Sequence, residues 1–284
     1  MCMLFLTFNR GRFKLIVVSQ RDEELDRPTA EAQWRDDILA GYDMKDPAQG
    51  TWFGVNRKGR VGVVLSITQP RGTKHQSAPS RGAIVKEYLA SNERPLDYCG
   101  DLANRSQEFN GFQFIAINPE ASSDFSMWSV TNMFVDQITV RDWRPETHVI
   151  GNSPPEIPFE KTKRGDKIWN DALEGILDLE DERQIAESLL EAIDDDERCF
   201  PDPQLAVQTG LPEDHPFLEP LSSLRIVYPK ESGIRYGTRS YTVLLIDEEG
   251  SGYLLERRLV GNPIDPHQPK WDTVEHWFDV EKPQ

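Results

Sequence analysis

Residues 1–18, MCMLFLTFNRGRFKLIVV, decide how the rest of the chain is read. An export signal needs a basic start, an apolar run of about 7 to 15 residues and a small-residue cleavage site. Here the apolar run ends at Phe8, residues 9–12 (Asn-Arg-Gly-Arg) break it, and a second apolar run fills 13–18. Two short apolar runs around a turn-forming break predict a β-hairpin. The hairpin makes the chain's start part of the fold and places Cys2 at its beginning. Met1 is commonly excised before a residue as small as cysteine, and excision would leave a thiol beside a free α-amine.

Working outward, residues 19–37 read as a polar loop, and 50–67 (GTWFGVNRKGRVGVVLSI) as a second hairpin turning at Asn56-Arg57-Lys58-Gly59. Residues 70–79 read as a loop. Ile84, Tyr88 and Leu89 fall at helical spacing, and 111–118 and 147–152 read as strands. From 159 to 193 two amphipathic stripes appear, one through Ile168, Trp169, Leu173, Ile176 and Leu177 and one through Ile185, Leu189, Leu190 and Ile193. A proline-rich loop follows at 201–220, then strands at 224–229, 240–247 and 252–259. Strands, then helices, then strands, with no repeat and no shift of composition, predict one α+β domain over 1–284, sheets at the centre and helices outside.

Composition excludes several classes. A net charge of -16 argues against affinity for nucleic acid or anionic lipid surfaces, though the basic stretch KTKRGDK (161–167) suits a small anion. No apolar run is long enough for an integral membrane segment. Cys2, Cys99 and Cys199 are odd in number and far apart, which disfavours a disulfide framework and favours a reducing compartment. The acidic run 177–198 lacks calcium-loop spacing, the five histidines lack metal-site spacing, and dinucleotide, P-loop and GxSxG motifs are absent. No metal or cofactor is expected.

What remains is Cys2 with the charged stretch after the first hairpin. An N-terminal cysteine needs few helpers, because its own α-amine, with an unperturbed pKa of about 7.7 to 8.0, can act as base. A neighbouring guanidinium would lower the thiol from its usual value of about 8.5. Antiparallel pairing around a turn at 9–12 brings Ser19, Gln20 and Arg21 alongside Cys2. Arg21 can then hold the thiolate or the substrate carbonyl region, and Asp22 the α-ammonium. The alternative is that Cys2 is a small core residue and Arg21, Asp22 and Glu23 form a loop ion-pair network.

These residues also carry a resemblance. MCMLFLTF, LIVVSQRDEELDRPT, GTWFGVNRKGRVGVVLS, SRGAIVKEYL, NGFQFIAIN, HVIGNSPPEIPFEK, YGTRSYTVLLID and GYLLERRL resemble, block by block and in order, the NRDE family of transport and Golgi organisation protein 2-like proteins. The resemblance implies an N-terminal nucleophile hydrolase fold, a four-layer αββα sandwich similar to the choloylglycine hydrolases and penicillin V acylases. It implies Cys2 as nucleophile, Arg21 as the arginine after the second strand, and Asn152 of GNSPP as a side-chain oxyanion donor. Arg239 of YGTRS matches a late active-site arginine, and a second oxyanion donor is implied at a backbone N–H near Ile67. The amine-binding acid is Asp22 or, by the amidases' spacing from the arginine, Glu24. The family's Asn-Arg-Asp-Glu is here Gln20-Arg21-Asp22-Glu23, and its Leu-Thr-Asn is Leu65-Ser66-Ile67. The implied partner is a small-molecule acyl compound, cleaved through an acyl-enzyme. The other implied reading is a non-catalytic carrier of a lipid-like, acyl-CoA or haem-like ligand. The implied setting is cytoplasmic, peripheral to Golgi or mitochondria.

Overall fold

The structure is a computed structural model that describes residues 1–120 and 124–281. The opening hairpin is β1 (Met3–Arg10) and β2 (Phe13–Glu24), joined by a tight turn in which Gly11 adopts a φ of 56°. β2 runs six residues beyond the apolar run, so the stretch read as a polar loop is largely strand, and β3 (Thr29–Arg35) and β4 (Ile38–Asp43) follow. Polarity misleads at this point because the ladder that takes up the end of β2 comes from the far end of the chain. The second hairpin is β5 (Phe53–Asn56) and β6 (Val61–Ser66), turning as expected at Gly59.

Next come α1 (Gly82–Ala90), α2 (Pro95–Asn104), β7 (Phe112–Pro119), β8 (Phe125–Thr131), β9 (Val140–Trp143) and the short β10 (His148–Ile150). The two amphipathic stripes form α3 (Glu160–Gly175) and α4 (Glu182–Ile193). Leu177 lies beyond α3 and is exposed. Within the proline-rich loop, Pro203 begins the short α5 (Pro203–Thr209), whose first turn is capped by Asp202 accepting from the Leu205 N–H at 3.0 Å. After α6 (Leu218–Leu221), residues 224–229 form one bridge, Val227 to Gly237, in place of the expected strand. Side chains have taken their backbone groups: the Leu224 carbonyl accepts from Gln20 Nε2 at 2.5 Å, and the Ile226 N–H donates to Thr238 Oγ1 at 2.9 Å. The chain closes with β11 (Tyr236–Asp247), β12 (Ser251–Leu259) and β13 (Trp271–Asp279).

Two antiparallel sheets result, one in the order β10-β1-β2-β11-β12-β13 and one running β3 to β9 in sequence order. Alternation along each strand sorts its side chains between two cores. Leu4, Leu6, Leu15 and Val17 meet Val63, Ile115 and Leu244 between the sheets, whereas Met3, Phe5, Ile16 and Val18 meet Trp169, Leu173, Ile185 and Leu189 of α3 and α4. The other sheet's outer face is covered by Ile84, Tyr88, Leu102 and neighbours of α1 and α2. The layers are therefore helix, sheet, sheet, helix, the αββα sandwich expected.

Candidate active site at the start of the chain

Alternation continues past the apolar half of β2, which gives its polar end two faces. β1 pairs Met3 with Gln20 and Leu4 with Ser19, and on its other side Leu4 with Ile150 of β10. One step further, this register flanks Cys2 with Arg21 on one side and Asn152 on the other. The tight turn lengthens the register, so Arg21 rather than Ser19 or Gln20 stands opposite Cys2. A Cβ at Gly151 would lie 2.8 Å from Thr162 Oγ1, so glycine lets α3 close over the strand just before Asn152.

On the inter-sheet face the Arg21 guanidinium lies 4.2 Å over the Trp52 ring, 3.5 Å from Glu23 and 3.8 Å from Asp43. Arg27 completes the network at 2.6 Å from Asp43. Burial works against the Glu23 charge, but Arg21, the Glu24 N–H and Arg27 together hold its carboxyl below the usual range. Arg81, bonded to the Gly111 carbonyl at 2.8 Å, is lowered by burial and partly restored by Glu23 and Cys2.

On the helix-facing side, Asp22 Oδ1 accepts from Thr238 Oγ1 at 2.7 Å and Gln20 Nε2 at 3.1 Å. Its Oδ2 lies 3.5 Å from the Met1 α-ammonium, which also donates to the Tyr236 hydroxyl. Lys161 of α3 is fully buried nearby, its Nζ donating to the Ser223 carbonyl at 3.1 Å. Glu24, by contrast, is exposed and pairs with Lys45. The geometry thus brings Asp22, and not Glu24, to the α-amine of Met1.

Dryness sets the proton balance. Burial lowers the pKa of the α-amine, with Asp22 opposing and Lys161 adding to the fall. With Met1 in place, burial also pushes the Cys2 thiol up, and this outweighs the lowering by the ammonium and by Arg21. Arg21 acts on the thiol in the expected direction, and desolvation is the larger effect. Cys2 Sγ lies 3.8 Å from the Asp22 carbonyl.

Asn152 is buried, and its Nδ2 donates to the Ser66 carbonyl at 2.5 Å, leaving one amide hydrogen. Its main-chain carbonyl accepts from the Thr68 N–H at 2.9 Å and Gln208 Nε2 at 3.1 Å. The Ile67 N–H donates to the Gly111 carbonyl at 3.0 Å. The backbone donor expected near Ile67 is therefore taken up by the β6–β7 connection, and the Thr68 N–H by Asn152. Arg239 lies beside Arg21, the residue opposite Cys2. It sits at a bulge in β11, and its Nη1 donates to the carbonyls of Glu24, Leu25 and Arg27, latching the loop after β2. Burial and the neighbouring Arg21 bring its pKa down to about 10.

Tyr236, Thr238, Trp52, Asp43 and Lys161 escape sequence reasoning. Lys161 had a signal, since it lies four residues before Gly165 and eight before Trp169 on the inward stripe of α3, where a lysine is out of place. The basic patch suited to an anion is dispersed instead: Lys163 pairs with Glu160, and Arg164 with Asp195 and Glu197.

Comparison with known proteins agrees with this geometry. The family model described as Transport and Golgi organisation 2 matches residues 1–261. The chain is 28% identical over 290 residues to the Transport and Golgi organization protein 2 homolog of Bos taurus, covering 99% of this chain and 100% of the relative. It is 28% identical over 287 residues to Transport and Golgi organization protein 2 of Drosophila melanogaster, covering 94% of each. Among solved structures, a mutant of conjugated bile acid hydrolase from Clostridium perfringens, with its second-position cysteine changed to alanine, aligns with a TM-score of 0.51 at 9% identity, over 99% of this chain and 98% of that one. Another variant of the same enzyme gives 0.50 at 10% identity with the same coverage. At such identity the likeness concerns the fold, that of an N-terminal nucleophile hydrolase.

Proposed function

The chain belongs to the Transport and Golgi organisation 2 family, and on that premise we propose that it is an N-terminal cysteine hydrolase of a small amide or thioester, with Cys2 as nucleophile once Met1 is removed. The observation that carries this reading is the convergence on Cys2: Arg21 and Asn152 flank it in register while Asp22, clamped by Thr238 and Gln20, holds the amine end.

In this reading the Cys2 Sγ proton passes to its own α-amine, which after excision takes over the dry surroundings that, with Lys161, lower the pKa of the Met1 α-amine. The sulfur attacks the carbonyl carbon, a C–S bond forms, and the carbonyl pair moves to oxygen, where the remaining Asn152 Nδ2 hydrogen donates. Collapse breaks the bond to the leaving nitrogen or sulfur, which takes the proton from the ammonium. Water then gives a proton to the amine and its hydroxyl to the acyl carbon, releasing a carboxylic acid and returning the proton to Sγ. Arg21, fixed by Trp52 and Asp43, supports the thiolate, and Arg239 holds the loop that frames the site.

The likeness in fold to conjugated bile acid hydrolase supports amide or thioester cleavage as the reaction class. The experiment is Cys2 labelling by dilute iodoacetamide across pH, read by mass spectrometry of the N-terminal peptide. Cys99, whose thiol burial pushes up to about 12, and Cys199 are internal controls. Met1 absent, with Cys2 labelling fastest and losing that advantage in Arg21→Ala, supports the reading; Met1 retained, or Cys2 no faster than Cys199, ends it.

A second reading is favoured by one observation, the engagement of both the Ile67 and Thr68 N–H groups, which leaves the Asn152 amide as the oxyanion donor. In it the fold is a carrier that holds a lipid-like, acyl-CoA or haem-like ligand without cleaving it. Cys2→Ala would then keep full ligand binding and every cellular effect. For either reading we place the protein in the cytoplasm beside the secretory pathway. Among the described residues no helix is long and apolar enough to cross a membrane.

A further inference from the structure

The Met1 side chain is only 8% exposed, and it belongs to none of the cores that hold the sheets and helices together. It packs in a separate apolar cluster with Phe159, Leu205, Ala206, Leu218, Ile226 and Tyr228, each 5% exposed or less. At the rim of this cluster, Thr68 Oγ1 donates to Met1 Sδ at 3.4 Å, and the Thr68 N–H is bonded to Asn152. Deeper in, the Tyr228 hydroxyl is spent on the Phe217 carbonyl at 2.9 Å. The Met1 side chain is thus held in apolar surroundings, and its Thr68 contact stands one hydrogen bond from Asn152, which flanks Cys2. Methionine is unbranched, so what it fills is long and narrow.

We propose that this space is the acyl subsite. With Met1 removed, it receives the unbranched aliphatic chain, about four to six carbons long, of a thioester or amide whose carbonyl lies at Cys2. The assignment rests on the hydrolase reading for its acyl-transfer sense. The acyl chain fits better than the leaving group because the residues around Met1 are buried: a leaving amine or thiol must reach solvent, whereas the acyl chain stays on Cys2 until water releases it. A polycyclic or branched acyl group is excluded by the same narrowness. While Met1 is retained, its side chain and the substrate compete for one space, so excision of Met1 both frees the amine and vacates the subsite.

Two measurements on the full chain separate this proposal from the reading beneath it. First, hexanamide and decanamide binding is measured calorimetrically on Cys2→Ala, which still loses Met1, and on Cys2→Leu, whose bulky second residue keeps it, intact mass confirming each terminus. Hexanamide is expected to bind at least tenfold more weakly to the Met1-retaining chain, and decanamide at least tenfold more weakly than hexanamide to the processed one. Second, wild-type hydrolysis of acetyl, butyryl, hexanoyl and decanoyl N-acetylcysteamine thioesters is expected to peak at butyryl or hexanoyl, and Ala206→Phe to move the optimum to acetyl. Hydrolysis with no chain-length preference, or equal hexanamide binding with and without Met1, overturns the subsite and leaves the hydrolase reading standing. Selective hexanamide binding with no thioester hydrolysis overturns the hydrolase reading and leaves the subsite as a ligand pocket.

Discussion

On either side of its midpoint, as far as Asp22, β2 is buried alike and does opposite things. In the first half Phe13, Leu15, Ile16, Val17 and Val18 are 6% exposed or less and fill the cores on both faces. In the second half Ser19, Gln20, Arg21 and Asp22 are 4% exposed or less. Yet Gln20 Oε1 and Asp22 Oδ2 make no hydrogen bond among the described residues. Buried polar atoms are normally satisfied, and unsatisfied ones call for a reason. Burial by itself thus does not distinguish core from site; acceptors held without a hydrogen bond, one of them ion-paired to an amine, do.

The comparison breaks most sharply at Cys2. Cys2→Ala is expected to lower thioester hydrolysis about a thousandfold or more, while the urea midpoint shifts by no more than about 1 kcal/mol. A large fall in stability with activity intact would make Cys2 a core residue and erase the distinction. The reverse experiment is Leu15→Ala in the apolar half, expected to cost about 2 to 5 kcal/mol in urea denaturation and to leave the pH profile of Cys2 labelling unmoved. A shifted profile would show that the two halves are mechanically coupled.

Glu256 of β12, two strands from β2 in the same sheet, sharpens the contrast. It is 1% exposed, accepts from the Ala32 N–H at 2.7 Å, and burial pushes its carboxyl up to about 7 against the pull of Ala32, Arg258 and Arg21. A carboxyl with a raised folded-state pKa contributes stability below its unfolded value of 4.5 that is lost as pH rises toward 7. The wild type should therefore lose up to about 3 kcal/mol across that window, and Glu256→Gln should flatten this part of the curve. Parallel stability curves for the two proteins would show that Glu256 is charged throughout.

The smallest effect belongs to Lys161. Burial first and the Lys161 charge second lower the pKa of the Met1 α-amine; the Cys2 α-amine exposed by excision is expected to feel the same charge, so Lys161→Met should raise its pKa. The acidic limb of the hydrolysis profile should then move to higher pH, with a change of less than about tenfold at the optimum. Lys161→Arg, which keeps the charge, should restore the limb. An unmoved limb in the methionine variant, with unchanged stability, would remove Lys161 from the proton balance.

The first hairpin, the second hairpin, the α3 and α4 stripes and a plan of central sheets with outer helices were legible in local periodicity, at two residues for strands and 3.6 for helices, whereas the αββα order was implied by the family resemblance. Cys2 and Arg21 were legible for a related reason, since hairpin pairing links positions close in sequence. Beyond that reach local pattern misleads. The end of β2 looked like a loop because the strand that buries it, β11, lies more than two hundred residues away. Residues 224–229 looked like a strand, although Gln20 and Thr238 had claimed their backbone groups.

For the same reason, the sequence by itself determined a plan of central sheets with outer helices and the identity of a thiol at the start of a strand, since these follow from patterning and nearest-neighbour geometry. Only the tertiary structure decided which acid meets the amine, that Arg239 latches a loop, that Lys161 points inward, and that Met1 occupies an apolar space beside the site. Each of those depends on contacts between distant segments and on the exclusion of water, and neither is encoded in any one stretch of chain.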